Sequence, residues 1–265
     1  MYPKAFEFEQ GDSPLLISMP HVGQALSEEV AEKLTPKAAQ LPDTDWHLPK
    51  LYADVKKYKP SLIIANYSRY VVDLNRPADN QPLYQGNTTG LFPQTLFNGE
   101  PLFHSKVSDE QHEWAKSEIW QPYYKQIESE LARLKAKFGY ALLFDAHSIA
   151  SHIPYLFDGK LPDLNLGSNE GKSCDPLLSQ ALNRVCEKSD YSSVLNGRFK
   201  GGYITRYFGR PEQHIHAIQL EMCQCIYMRE QHPFSYLEEL AEPLQSVLND
   251  LIEQYLYTGQ VIYAQ

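Results

Sequence analysis

His21 stands in the stretch Ser18-Met-Pro-His-Val-Gly23, and His147 in Asp145-Ala-His-Ser148. Glu221 falls in Gln219-Leu-Glu-Met222, and Asn75-Arg76 in Asp73-Leu-Asn-Arg-Pro77. Imidazole nitrogens and carboxylate oxygens are ordinary zinc ligands, and a catalytic zinc site takes three of them beside an open water position. His21, His147 and one acidic residue meet that demand. A separate glutamate near the water can take its proton and hand it to a leaving amine. An arginine fork beside an amide matches a carboxylate and can fix a substrate in place. Taken singly, each position also suits a structural role. An Asp-x-His pair can be a strand-end hydrogen bond, Glu221 and Arg76 can be ion-pair members, and Asp43-Thr-Asp-Trp-His47 can be an acidic helix start. Four such groups, each where an apolar run stops, point to a metal or acid–base site.

Those runs are the scaffold that must hold the site. In open α/β sheets ligands collect outside the carboxyl ends of the strands. Short apolar segments predict strands at 14–20, 61–65, 70–74, 140–144, 192–195 and 215–220. Ser27 caps a helix through Leu34, and a second helix is expected over 46–57. A capping box at Ser108–Gln111 opens a long helix whose apolar stripe runs Trp120, Tyr124, Ile127, Leu131, Leu134, Phe138. Further helices are expected at 175–188 and 235–257. This alternation predicts an α/β three-layer sandwich, with a mixed, mostly parallel central sheet flanked by helices. No linker divides the chain, so one domain over 1–265 is expected. Residues 76–101 are rich in Pro, Gly and Asn and predict an irregular flap or rim, anchored by Leu91, Phe92, Leu96 and Phe97.

Composition sets outer limits. The 265 residues carry 24 Lys and Arg against 33 Asp and Glu, a formal charge of −9. That balance disfavours nucleic acid and anionic membranes as partners, since both need a basic face. No segment reads as a signal peptide or a membrane span, so a soluble cytoplasmic protein with a small-molecule partner is expected. Cys174, Cys186, Cys223 and Cys225 match no zinc-finger spacing and read as buried, reduced thiols.

Together with Leu41-Pro-Asp-Thr-Asp-Trp46, Tyr84-Gln-Gly-Asn-Thr-Thr-Gly-Leu-Phe-Pro93 and Asn196-Gly-Arg-Phe-Lys-Gly-Gly-Tyr-Ile-Thr-Arg206, these motifs span residues 18–222. In that order the chain resembles the N-formylglutamate amidohydrolases (N-formylglutamate deformylases) of histidine catabolism, a family similar in fold to zinc carboxypeptidases. The resemblance implies a zinc-dependent hydrolase releasing formate from N-formyl-L-glutamate, with zinc or another divalent metal as cofactor. It implies metal ligands at His21 and His147, a catalytic Glu221 and a carboxylate clamp at Asn75 and Arg76. It further implies a second substrate-contacting loop with Tyr203, Thr205 and Arg206, in which Arg206 meets the substrate's other carboxylate. Carboxypeptidases carry a Glu three residues after the first zinc histidine, where this chain has Gln24. A neutral amide is a poor ligand, so the third ligand is expected at Asp45, with Asp43 and His47 as the other choices. Two further readings share these motifs. One is a zinc amidohydrolase for another N-acyl amino acid or a small peptide. The other is a non-catalytic carboxylate- or metal-binding protein.

Overall fold

The computed structural model describes residues 3–82 and 89–264. Seven strands form one sheet: β1 (Phe6–Glu9), β2 (Leu15–Met19), β3 (Ser61–Ala65), β4 (Ala141–Ile149), β5 (Leu164–Gly167), β6 (Ser193–Leu195) and β7 (Ile215–Cys223). Their order is β1-β3-β2-β4-β7-β5-β6. The pairs β2–β3, β2–β4, β4–β7 and β5–β6 are parallel, while β1–β3 and β5–β7 are antiparallel. The helices are α1 (Glu28–Lys33), α2 (Leu48–Leu51), α3 (Asp109–Ala115), α4 (Gln121–Phe138), α5 (Pro176–Lys188), α6 (Tyr203–Phe208) and α7 (Glu238–Tyr263).

The pleat divides the apolar side chains between two cores, because successive strand residues face opposite ways. Leu142, Phe144 and Ala146 of β4, with Ile218, Leu220 and Met222 of β7, pack with α5 and α7. Ala141, Leu143 and Ala217 face the other way, onto Tyr123, Tyr124, Ile127 and Leu131 of α4. Helices on both faces of a mixed, mostly parallel sheet are the expected sandwich. On the α4 face the same alternation continues as Asp145 and His147 in β4, and as Gln219 and Glu221 in β7. There the sheet turns polar, and it does so at the carboxyl ends of its two central parallel strands.

Local expectations hold in most places. Ser27 accepts from Val30 N–H at the start of α1, and Ser108 from Gln111 N–H at the start of α3. The long helix behind Ser108 runs on through a π-helical turn at Lys116–Trp120 into α4. Leu91 and Leu96 are buried in the α4-side core with Phe92 against them, and Phe97 packs on a smaller cluster around Ile153. The Tyr84–Pro93 motif falls partly on residues 83–88, outside the described residues.

Three differences have physical causes. Residues 70–74 form turns and irregular chain instead of a strand, and their apolar side chains pack into the α4-side core. Those residues are buried nonetheless, so their hydrophobicity signals packing and not pairing. The helix expected over 46–57 is broken into α2 and a 3-10 segment, Ala53–Tyr58, with His47 at φ 65 before it. Strands β4 and β7 run past their apolar stretches, so His147 and Glu221 lie inside strands instead of after them. The short elements β1, β5 and α6 carried too little periodicity to be recognised. All four cysteines are free, three of them buried.

Candidate metal centre

Parallel register sets His147 of β4 directly beside Glu221 of β7, and Asp145 beside Gln219. The exit of β2 brings His21 to the same point, and Asp45 N–H donates to the His21 carbonyl at 3.0 Å, which ties the 43–47 segment against it. The ligand atoms of His21, Asp45 and His147 thus gather within 4.8 Å of one another, and all three residues are buried.

Both imidazoles are oriented from behind. His21 Nε2 lies 2.7 Å from Asp73 Oδ1, and His147 Nε2 lies 2.9 Å from Asp145 Oδ2. A carboxylate only accepts, so each Nε2 carries a proton, and the Nδ1 of a neutral ring presents its lone pair. The Asn75 amide also comes within 3.1 Å of His147 Nε2, but the charged oxygen is the stronger partner. The two Nδ1 atoms then face each other at 3.2 Å, with Asp45 Oδ2 at 3.1 Å from one and 3.8 Å from the other. Tetrahedral zinc with bonds of about 2.0–2.1 Å spaces its ligand atoms by roughly 3.3 Å. Three buried acceptors converging at this spacing, two of them on carboxylate-backed histidines, fit a divalent cation well. Burial depresses His147, but Asp145 and Asp45 outweigh it and hold its pKa well above the ordinary value. Burial, aided by Arg69, holds His21 below its ordinary value against the pull of Asp73.

The other choices for the third ligand are turned away. Asp43 Oδ2 accepts from Tyr70 OH at 2.9 Å and from Phe97 N–H at 3.1 Å. His47 Nε2 lies 2.6 Å from the Phe234 carbonyl. Gln24 is exposed.

A cleft opens over these atoms, lined among others by Glu221, Asn75, Arg76, Arg69, Phe97 and Arg198. Glu221 is buried and accepts from Gln219 Nε2 at 3.1 Å. Burial pushes its pKa up to about 8; His147 pulls it down, and Asp45 adds to the rise. Among the described residues Arg76 donates only to neutral acceptors, the Thr89 carbonyl at 2.7 Å, the Asn75 carbonyl at 2.8 Å and Thr89 Oγ1 at 3.2 Å. Its positive charge therefore faces the cleft without a protein carboxylate among the described residues. Trp120 Nε1–H, presented by the π turn, braces the Arg76 carbonyl at 2.9 Å. Asn75 is part scaffold, since its Oδ1 accepts from Ile204 N–H at 2.9 Å.

The second expected loop is placed differently. Tyr203, Thr205 and Arg206 are not among the residues lining the cleft. Tyr203 packs on Tyr124 and Tyr207, Thr205 is fully buried, and Arg206 Nε donates to the Gly201 carbonyl at 2.8 Å. Arg198, from the same motif, lines the cleft instead. Arg69 was missed in the sequence. It is buried, pairs with Asp73 at 2.7 Å and lies over the Phe97 ring at 4.6 Å. An arginine within Tyr67-Ser-Arg-Tyr-Val-Val-Asp73 was the available signal, because so apolar a setting demands a partner for its charge.

The family model for N-formylglutamate amidohydrolase matches residues 13–228. The chain is 54% identical over 264 residues to an N-formylglutamate deformylase of Pseudomonas aeruginosa, covering 98% of this chain and 99% of that protein. It is 55% identical over 263 residues to one of Pseudomonas putida, covering 98% of each. The crystal structure of an N-formylglutamate amidohydrolase from Ralstonia eutropha JMP134 shares the fold, with a TM-score of 0.82 at 20% identity over 98% of each chain. By family model and by near-full-length identity alike, the chain belongs to the N-formylglutamate amidohydrolase family.

Proposed function

We propose that this protein is a zinc-dependent amidohydrolase that cleaves N-formyl-L-glutamate to L-glutamate and formate. The observation that carries the reading is the convergence of His21 Nδ1, His147 Nδ1 and Asp45 Oδ2 on one point, with Glu221 lining the same cleft. The two Pseudomonas relatives, named as N-formylglutamate deformylases, support the substrate. His21, Asp45 and His147 would hold the zinc ion. Bound there, it would supply Lewis acidity toward a carbonyl oxygen and lower the pKa of a neighbouring water toward about 7.

The chain's own residues do the rest. Arg76 holds the substrate carboxylate next to the scissile amide, which sets the formyl carbon toward the water side. Glu221 removes a proton from the attacking water as the new C–O bond forms. It returns that proton to the amide nitrogen as the C–N bond breaks, so the amine leaves neutral. Burial favours the protonated carboxyl that the second transfer needs, and a cation held by His21, Asp45 and His147 would favour the carboxylate that the first needs. We read the reaction as a cytoplasmic step of histidine degradation, as the family resemblance implies. No helix among the described residues is long and apolar enough to cross a membrane.

Formate release from N-formyl-L-glutamate, assayed with and without chelator, tests this directly. Chelation is expected to abolish turnover and added zinc to restore it. Glu221→Gln is expected to lower kcat by about 10²–10⁴-fold. Full activity after verified metal removal, or wild-type turnover in Glu221→Gln, would sink the proposal.

A further inference from the structure

N-formylglutamate carries two carboxylates, and two guanidinium groups line the cleft with no carboxylate partner among the described residues. One is Arg76. The other is Arg198, whose Nη2 donates to the Leu156 carbonyl at 3.1 Å and whose guanidinium lies 5.9 Å from the centroid of the Phe199 ring. The remaining cations of this region are engaged. Arg69 is paired with Asp73, and Lys200 with Glu170 at 2.6 Å. Arg76 follows Asn75, whose amide reaches His147, so it stands on the ligand side of the cleft. The α-carboxylate must lie there, because it is attached to the carbon that bears the scissile nitrogen. Arg198 is exposed and stands at the mouth, where the end of the side chain would point.

The segment that carries Arg198 is pinned at both ends. Asn196, at φ 56, donates its N–H to the Leu166 carbonyl at 2.7 Å, and its Oδ1 accepts from Ser168 N–H at 2.9 Å and Glu170 N–H at 3.2 Å. At the other end the Gly201 backbone lies so close to β5 that a Cβ on Gly167 would come within 2.5 Å of Gly201 N. The guanidinium is thus delivered from a fixed loop and not from a free surface chain.

We propose that Arg198 is the specificity-determining residue that receives the side-chain carboxylate of the substrate, the role the sequence motif suggested for Arg206. The inference rests on the N-formylglutamate reading above. A guanidinium offers only donors, so a carboxylate accepts from it, while the isosteric amide turns at least half its polar surface into a competing donor. Arg198 therefore acts on the choice between acid and amide side chains and leaves the reacting atoms alone.

The test compares kcat/KM for N-formyl-L-glutamate and N-formyl-L-glutamine in wild type, Arg198→Ala and Arg198→Lys. In Arg198→Ala the preference for the acid is expected to fall by about 10–100-fold, through KM, with the amide's kcat/KM changed by no more than about twofold. Arg198→Lys is expected to recover part of the preference, since it restores the charge without the fork. Equal losses on both substrates, or an unchanged preference, would overturn the role of Arg198 while leaving the deformylase reading intact. Absence of formate release from N-formyl-L-glutamate by the metal-loaded wild type would overturn both.

Discussion

Asp73 and Asp145 each fix an imidazole by accepting its Nε2 proton, at 2.7 and 2.9 Å. They decide which nitrogen each histidine presents, and their charge raises the basicity of that nitrogen. Asp145 allows a clean test, because Asp73 also neutralises the buried Arg69 and its loss would strand that charge. Asp145→Asn keeps the shape and removes the charge. It is expected to weaken zinc binding by about 10–100-fold, measured by chelator competition at fixed pH. An unchanged affinity would mean that the carboxylate behind His147 does not tune it. At this scale the sequence was most legible for His21, His147 and Glu221, whose neighbours define strand ends. It was least legible for Arg69, whose partner is four residues away along an irregular turn.

At the scale of elements, the site depends on how closely α6 approaches the 73–76 segment. Gly202, just before α6, has ordinary backbone angles of φ −79 and ψ −168, so its identity is not a matter of conformation. A Cβ there would lie 2.2 Å from Asn75 Nδ2, and that amide is also hydrogen-bonded to Ile204 N–H. Gly202→Ala is therefore expected to push Asn75 away from His147. A stability loss of about 1–3 kcal/mol in denaturant unfolding, together with reduced kcat/KM, is the expected outcome. Wild-type values for both would show that the contact relaxes freely. The glycine was visible within its motif, but the reason for it was not, since its neighbour lies more than a hundred residues away. The same limit explains the 70–74 segment. Its apolar residues suit a strand, and only the packing of distant segments in the α4-side core shows what they cover instead.

For the whole molecule, pH couples to stability through buried groups on different elements. His216 is buried on β7. Its Nδ1 accepts from Asp175 N–H at 3.2 Å, and its Nε2 lies 2.6 Å from Tyr263 OH, so the neutral tautomer is built in. Burial lowers its pKa to about 4 from an ordinary 6.5. Between those values the unfolded chain binds the extra proton and the folded chain does not, so stability falls as pH drops from 6.5 to 4. Asp43 works in the opposite sense. Burial raises its pKa to about 6, so the folded chain takes up a proton first and gains stability as pH falls toward 3.8. The informative quantity is therefore a difference. Relative to wild type, His216→Gln is expected to lose less stability between pH 6.5 and 4, by on the order of 3 kcal/mol. Parallel stability curves for the two proteins would remove His216 as the cause.

Residue types and local spacing alone determined the alternation of strands and helices, the apolar faces, the caps at Ser27 and Ser108, and the motif set that carries the family. Those properties depend on neighbours within a few positions, where the chain's periodicity is itself the physics. Register decided the rest. Only the alignment of β4 with β7 sets His147 beside Glu221, and only the closure of the 43–47 segment on β2 selects Asp45 over Asp43 and His47 as the carboxylate facing both imidazoles. The choice of Arg198 over Arg206 as the cation in the cleft was equally out of reach of the sequence. Both stand in one motif, but Arg198 lies in the loop held against β5 and Arg206 lies within α6. A net charge of −9 likewise said nothing of the cavity, because that sum averages over a surface whose fields are screened within about 8–10 Å. The packing of distant segments brings Arg76 and Arg198 to one cleft in an acidic protein.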